Sequence, residues 1–219
     1  LAYIYAGYPA LIWLLSRVRG RPVRKGPFEG GAAVLIAAHD EAESLPRKLD
    51  NLLELAKTEP IREIWIGLDG STDGTGEAVR EKIPISNVQG EAGDEVRGPR
   101  SEVGSPNNQR PSTANHQPPT IKVLEFETRR GKAAVLNDLM AKAASPIFLM
   151  MDARQRVEAG AISKLLENFA DPQVGAVSGA LVYESAAGGA QKGAESYWGY
   201  EKFIRRCESR FWAVPGATG

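Results

Sequence analysis

The run Asp69-Gly70-Ser71-Thr72-Asp73-Gly74-Thr75 packs two carboxylates, three hydroxyls and two glycines into seven residues behind an apolar segment. Taken alone it is a tight turn whose Asp73 caps the next helix. Three other segments place comparable chemistry after apolar runs. They are Ala37-Ala38-His39-Asp40-Glu41-Ala42, Arg129-Arg130-Gly131-Lys132-Ala133-Ala134-Val135-Leu136-Asn137 and Met151-Asp152-Ala153-Arg154. Carboxylates of this kind can accept from the N–H of a base or the hydroxyls of a ribose, and Lys132 and Arg154 can hold phosphate. Two metal and phosphate loops are excluded. A calcium loop starting at Asp69 would need glutamate at its twelfth position, which is Arg80. A phosphate loop around Gly131-Lys132 would need glycine where Phe126 stands and a hydroxyl where Ala133 stands.

These segments need a scaffold, and the chain supplies alternating strand and helix patterns. Ala33–Ala37, Glu63–Leu68, Ile121–Phe126 and Ile147–Met151 are short apolar runs of the kind buried in parallel sheets. Between them, Leu45, Leu49, Leu52, Leu53 and Ala56 recur at helical spacing, as do Val135, Leu136, Leu139 and Met140. A further helix follows the fourth strand through Ile162, Leu165, Leu166 and Phe169, and Val174–Tyr183 is expected as a fifth strand. The fold class is therefore α/β, a mainly parallel sheet flanked by helices. Ligands of such sheets bind outside the carboxyl ends of the strands, where Asp69 and Asp152 fall.

The ordered set of four motifs resembles family 2 glycosyltransferases of the GT-A fold. Those enzymes show Pro-Ala-x-Asn-Glu, Asp-Asp-Gly-Ser-Thr-Asp-Gly-Thr, Gly-Lys-Ala-x-Ala-Leu-Asn and Asp-Ala-Asp in that order. Tyr200-Glu201-Lys202 and Gly216-Ala217-Thr218-Gly219 are similar to later parts of membrane polysaccharide synthases in the family. The resemblance implies a donor pocket of Ala37, His39, Glu41, Asp69, Lys132 and Asp152, with Glu41 and Asp69 on the base and ribose. Lys132 would bind the nucleotide or its diphosphate, and Asp152 the ribose or the metal side of the diphosphate. The implied reaction is inverting displacement at the anomeric carbon of a nucleotide-activated sugar, UDP-linked, with a glycan or lipid as acceptor.

Three positions depart from the family pattern. Asp40 replaces asparagine, Leu68 replaces the first aspartate of the acidic pair, and Arg154 replaces the aspartate that binds Mg²⁺ or Mn²⁺. Asp152 is thus left as the lone candidate metal ligand of that motif. Arg154 is expected to supply positive charge to the diphosphate, because a guanidinium grips phosphate bidentately. Together Asp152 and Arg154 are the residues expected to stabilise the leaving group. The family's general base belongs to a later motif, expected beyond Gly219. A sugar nucleotidyltransferase would instead favour a glycine-rich basic loop where Ala37–Glu41 stand. A non-catalytic nucleotide-sugar-binding domain is the other alternative, and Arg154 is its motive.

Outside the motifs, Leu1–Leu15 lacks charge and is followed by Arg17, Arg19, Arg21, Arg24 and Lys25. A signal peptide carries its basic residues before the apolar run, so this order is read as the end of a membrane helix with a cytoplasmic flank. The expected organisation is residues 1–26 as that helix end and 27–219 as the catalytic domain, incomplete at its C-terminus. Residues 84–119, rich in Gly, Pro, Ser and Asn, are expected as a disordered insertion. Residues 194–211 are expected as a basic amphipathic helix, against a membrane surface or against the sheet. The expected location is the cell membrane with the catalytic domain in the cytoplasm. Lysine plus arginine equals aspartate plus glutamate at 27 each, so net charge gives no support for a nucleic-acid partner. One cysteine and two histidines exclude an internal disulfide and a zinc site of the usual kind.

Overall fold

A computed structural model describes residues 3–83, 118–182 and 191–212, without the side chains of Ile4 and of residues 191–198. The expected insertion therefore lies outside the described residues except for Pro118 and Pro119, as does Gly216–Gly219. A π-helical turn at Tyr3–Gly7 leads into α1 (Tyr8–Val18), then β1 (Ala32–Ala38), α2 (Ser44–Leu55), β2 (Ile61–Asp69) and α3 (Thr75–Lys82). After the undescribed segment come β3 (Thr120–Phe126), α4 (Lys132–Lys142), β4 (Ile147–Met150), α5 (Ala161–Leu166) and α6 (Gln191–Phe211). Contacts divide the chain into two compact units, Glu29–Ser163 and the combination of Leu1–Phe28 with Lys164–Gly219.

The unit Glu29–Ser163 is built on a four-stranded sheet in the order β3-β2-β1-β4, parallel throughout. β1 and β2 are central, and Val34, Leu35, Ile36, Ile64 and Ile66 are fully buried, as strands covered on both faces require. Successive residues point to opposite faces. Ala33, Leu35 and Trp65 pack with Leu124 and with Val135, Leu136 and Leu139 of α4. The alternate set, Val34, Ile36, Ile64, Ile66 and Leu68, faces the other way. Leu45, Leu49 and Leu52 of α2 and Val79 of α3 are fully buried, and these two helices pack on each other. Each such side chain contributes about 1.5–3 kcal/mol by leaving water.

The chain crosses from β1 to β2 on one side and returns to β4 on the other side of β1. That reversal is a topological switch point at the carboxyl ends of β1 and β4, where the general rule for open α/β sheets places the ligand crevice.

Val174–Val182 is not a strand, which corrects the sequence expectation; Tyr183 lies outside the described residues. The segment has no ladder partner and is largely exposed. Strand propensity needs a neighbouring edge to supply hydrogen bonds, and Gly175 and Gly179 offer no side chain to pack. On α2, Leu55 is buried and Leu53 only partly so, a small shift of the expected apolar face.

In the second unit α1 packs on α6. The Tyr8 hydroxyl donates to Glu208 at 2.5 Å and the Arg21 amide to the Arg210 carbonyl at 2.8 Å. Cys207 is buried. Among the described residues no helix is long and apolar enough to cross a membrane.

Gly67 lets α4 pack closely on the sheet. A Cβ there would lie 2.2 Å from Cγ1 of the buried Val135. Gly67→Ala is expected to destabilise by about 1–3 kcal/mol through overpacking. Combining it with Val135→Ala should cost less than the sum of the two single changes, read from urea midpoints. An unchanged midpoint for Gly67→Ala would contradict this packing.

Candidate functional site

The site is assembled from four loops, one at the carboxyl end of each strand. Asp69 ends β2 on the face occupied by α4, in register with Phe126. It is 3% exposed, yet both carboxylate oxygens are occupied: the Arg130 amide donates to Oδ1 at 2.6 Å and the Gly131 amide to Oδ2 at 2.8 Å. Asp69 thereby fixes the entry to α4, whose first residue is Lys132. Two glycines make this possible. Gly131 sits at φ 91°, ψ 147°, a conformation L side chains avoid. Gly70 has φ 63°, and a Cβ there would meet the Arg129 backbone nitrogen at 2.7 Å.

A second set of bonds joins the loop after β1 to the loop after β2. The His39 Nδ1–H donates to the Asp69 carbonyl at 2.7 Å. The Thr72 amide donates to Asp40 Oδ1 at 2.8 Å, and the Asp40 amide to Ser71 Oγ at 3.2 Å. Asp40 lies at φ 53°, a left-handed position that asparagine and aspartate tolerate best, which explains why either serves there. The Glu41 amide donates to Thr75 Oγ1 at 2.9 Å, and the Ala42 amide to Asp73 Oδ2 at 3.0 Å. Asp73 also accepts the Thr75 amide at 3.1 Å, but the N-cap of α3 is Gly74 with no side-chain cap bond, so Asp73 bridges the loops from one residue outside the helix rather than capping it as expected. The Thr75 hydroxyl and then the Ala42 amide hold the Asp73 carboxyl below its usual range.

The charged side chains meet as two ion pairs. Lys132 Nζ donates to Asp152 Oδ1, which joins α4 to the end of β4. Arg154 Nε lies 2.7 Å from Oε1 and 3.1 Å from Oε2 of Glu41, joining the loop after β4 to the loop after β1. That contact raises the guanidinium pKa further above its already high value. Each cation thus rests on a carboxylate at the mouth of the β1/β4 crevice. Of the residues expected in the site, Glu41, Lys132, Asp152 and Arg154 form these pairs, while His39 and Asp69 form the framework beside them. Ala37 lies within β1, packed against the cluster beneath α4.

The residues present do not fit a protein-built divalent site. Asp152 is engaged by Lys132, and a guanidinium stands two residues on. Among the described residues no three histidine, cysteine, aspartate or glutamate side chains are grouped to hold a metal. Leu68, where the family pattern has its first aspartate, faces the opposite side from Asp69 and is buried.

Sequence reasoning missed two contributors. The amides of Arg130 and Gly131 carry no side-chain signature. Lys48 did have one: it falls three residues after Leu45 on the apolar face of α2, where a charge is out of place. It is 3% exposed, and its ammonium donates to the Gln155 carbonyl at 2.7 Å.

A profile for glycosyl transferase family 2 matches residues 33–92 and 104–218. A poly-beta-1,6-N-acetyl-D-glucosamine synthase of Staphylococcus epidermidis is 23% identical over 188 residues, covering 80% of this chain and 37% of that protein. A mannosyltransferase of Pyrobaculum calidifontis, solved with GDP-Man and Mn²⁺, superimposes with a TM-score of 0.65 at 24% identity. It covers 100% of this chain and 52% of its own, and it establishes likeness of fold.

Asp69→Asn replaces one acceptor oxygen with an amino group facing a buried N–H. A loss of about 1–3 kcal/mol is expected from the unsatisfied donor, measured as a lower urea midpoint. A midpoint equal to wild type would show that the α4 entry does not depend on this carboxylate.

Proposed function

Because the chain belongs to glycosyl transferase family 2, we propose that it binds a nucleotide-sugar donor, UDP-linked, and passes the sugar to a glycan or lipid acceptor with inversion. The observation that carries this reading is the placement of Lys132 and Arg154 at the β1/β4 crevice, each parked on a carboxylate. A diphosphate entering the crevice exchanges these partners for its own oxygens. Lysine offers a compact charge and arginine a planar fork, and both strengthen as negative charge develops on the leaving diphosphate. Lys132 also opens α4, whose first-turn amides have no intrahelical acceptor and favour an anion.

Glu41, once released by Arg154, is free to accept from the base or ribose. Asp69 serves the same pocket indirectly, by holding the backbone that carries Lys132. Asp152 and Glu41 are each neutralised by a cation, so neither is assigned as the base that deprotonates the acceptor. Positive charge that a divalent ion supplies elsewhere comes here from Arg154 and Lys132, in keeping with the poor fit of the site to Mg²⁺ or Mn²⁺. The competing reading is a domain that binds donor without transferring it, which the arginine in the acidic motif favours.

Titration calorimetry with UDP and GDP, with and without Mn²⁺, tests this. Binding of UDP without metal is expected, and Arg154→Ala should weaken it about five- to tenfold, the loss of one charge-assisted contact. Strict dependence on Mn²⁺ together with an unaltered Arg154→Ala variant would sink the metal-sparing role. Binding without sugar transfer by the whole protein would favour the non-catalytic reading.

The acceptor and the site of action are proposed from the other unit. Tyr3, Tyr5, Leu11, Trp13, Leu14 and Val18 are exposed, and Arg17, Arg19, Arg21, Arg24 and Lys25 follow them closely. Arg17 lies over the Trp13 ring, 5.5 Å from its centre. Aromatic and apolar side chains beside a basic run suit the cytoplasmic face of an anionic bilayer. Co-sedimentation with anionic vesicles is expected to exceed that with zwitterionic ones and to fall with salt. Equal sedimentation with both would remove the electrostatic part of this placement.

A further inference from the structure

The loop Asp152–Val157 carries both Asp152 and Arg154, yet it has neither helix nor strand to hold it. Its own turn supplies one long bond, from the Gln155 amide to the Asp152 carbonyl at 3.4 Å. Besides the ion pairs of Asp152 with Lys132 and of Arg154 with Glu41, support comes from α2. Lys48 Nζ donates to the Gln155 carbonyl at 2.7 Å. One turn further along α2, Asn51 closes a two-way pair with Val157: its Nδ2 donates to the Val157 carbonyl at 3.1 Å and its Oδ1 accepts the Val157 amide at 2.9 Å. Beyond the loop, Glu59 accepts the Ser163 amide at 2.8 Å and is also bonded by the Gly160 amide, so the whole stretch after β4 is pinned from one side.

We propose that Lys48 is a positioning residue of the donor site, whose buried ammonium holds the loop that presents Asp152 and Arg154 to the diphosphate. This rests on the donor-binding reading above. The argument is one of cost and geometry. A leucine or methionine would sit on the apolar face of α2 without penalty, whereas an ammonium that is 3% exposed loses its hydration. Burial lowers the Lys48 pKa to about 8, and the charge of Asp152 opposes that fall. At neutral pH the group therefore remains mostly cationic behind the loop. It completes one carbonyl that would otherwise lack a partner, and it places a fixed positive charge on the protein side of Asp152. Lys132 faces the same carboxylate from α4. Asp152 thus interacts with two cations, Lys132 directly and the buried Lys48 through its charge.

Two measurements on the 219-residue protein decide the matter. In Lys48→Met the amides of residues 155–157 are expected to exchange about tenfold faster, as a locally released loop would. UDP affinity should fall about fivefold while uridine affinity holds, because the lost contact serves the diphosphate end. The thermal midpoint should stay level or rise, since an apolar side chain replaces a buried charge. Lys48→Gln, which keeps an N–H donor, is the second variant and should show the same changes in smaller measure. Unchanged exchange at 155–157 in both variants overturns the proposal. So does an equal loss of UDP and uridine affinity, the mark of a general structural defect. If the wild-type protein binds neither UDP nor GDP, the donor reading itself fails, while the exchange rates still report whether Lys48 holds the loop.

Discussion

One buried carboxylate organises the site. Asp69 leaves β2 facing α4 and takes two backbone amides from the turn that begins that helix. A carboxylate excluded from water must be satisfied within the protein, and two N–H donors meet that demand. In return the turn at Gly131 is locked in a conformation it would not otherwise keep. The position of Lys132, the direction of the first turn of α4 and the reach of its ammonium toward Asp152 all follow from that exchange.

Around this anchor the molecule separates rigid parts from exchangeable ones. Hydrogen bonds among His39, Asp40, Ser71, Thr72, Asp73 and Thr75 join two loops into a single wall. They are short-range and local, and they use no cation. The cations are kept for the two ion pairs at the crevice mouth, where partial solvent exposure makes each contact weak and easily replaced. Under the proposed function a phosphate would compete only with pairs that cost little to break.

The replacement of an acidic ligand by Arg154 changes the charge logic of the crevice. A carboxylate there would add negative charge that a divalent ion must cancel before a diphosphate could approach. The guanidinium instead balances Glu41, and under the proposed function it is the group that would meet the diphosphate. Lys132 pairs directly with Asp152, and the buried Lys48 beneath its loop adds a second positive charge.

Much of this was legible from sequence by itself. The α/β class followed from apolar runs of strand length alternating with helical periodicity, because a buried parallel strand and an amphipathic helix each impose a period on their own residues. The order of the four motifs singled out Glu41, Asp69, Lys132, Asp152 and Arg154 as candidates for one site, and the structure groups them at the carboxyl ends of the strands. Only the tertiary structure decided which charges meet, since Glu41 and Arg154 lie more than a hundred residues apart and no local pattern records that distance closing. It also showed that the Asp69 carboxylate clamps the backbone of Arg130 and Gly131, and it brought Lys48 under the loop of Asp152. Val174–Val182 shows the same limit in reverse: the pattern had strand character, but a strand exists only where a partner offers its hydrogen bonds. Periodicity is written along the chain, whereas pairing and burial belong to the assembled fold.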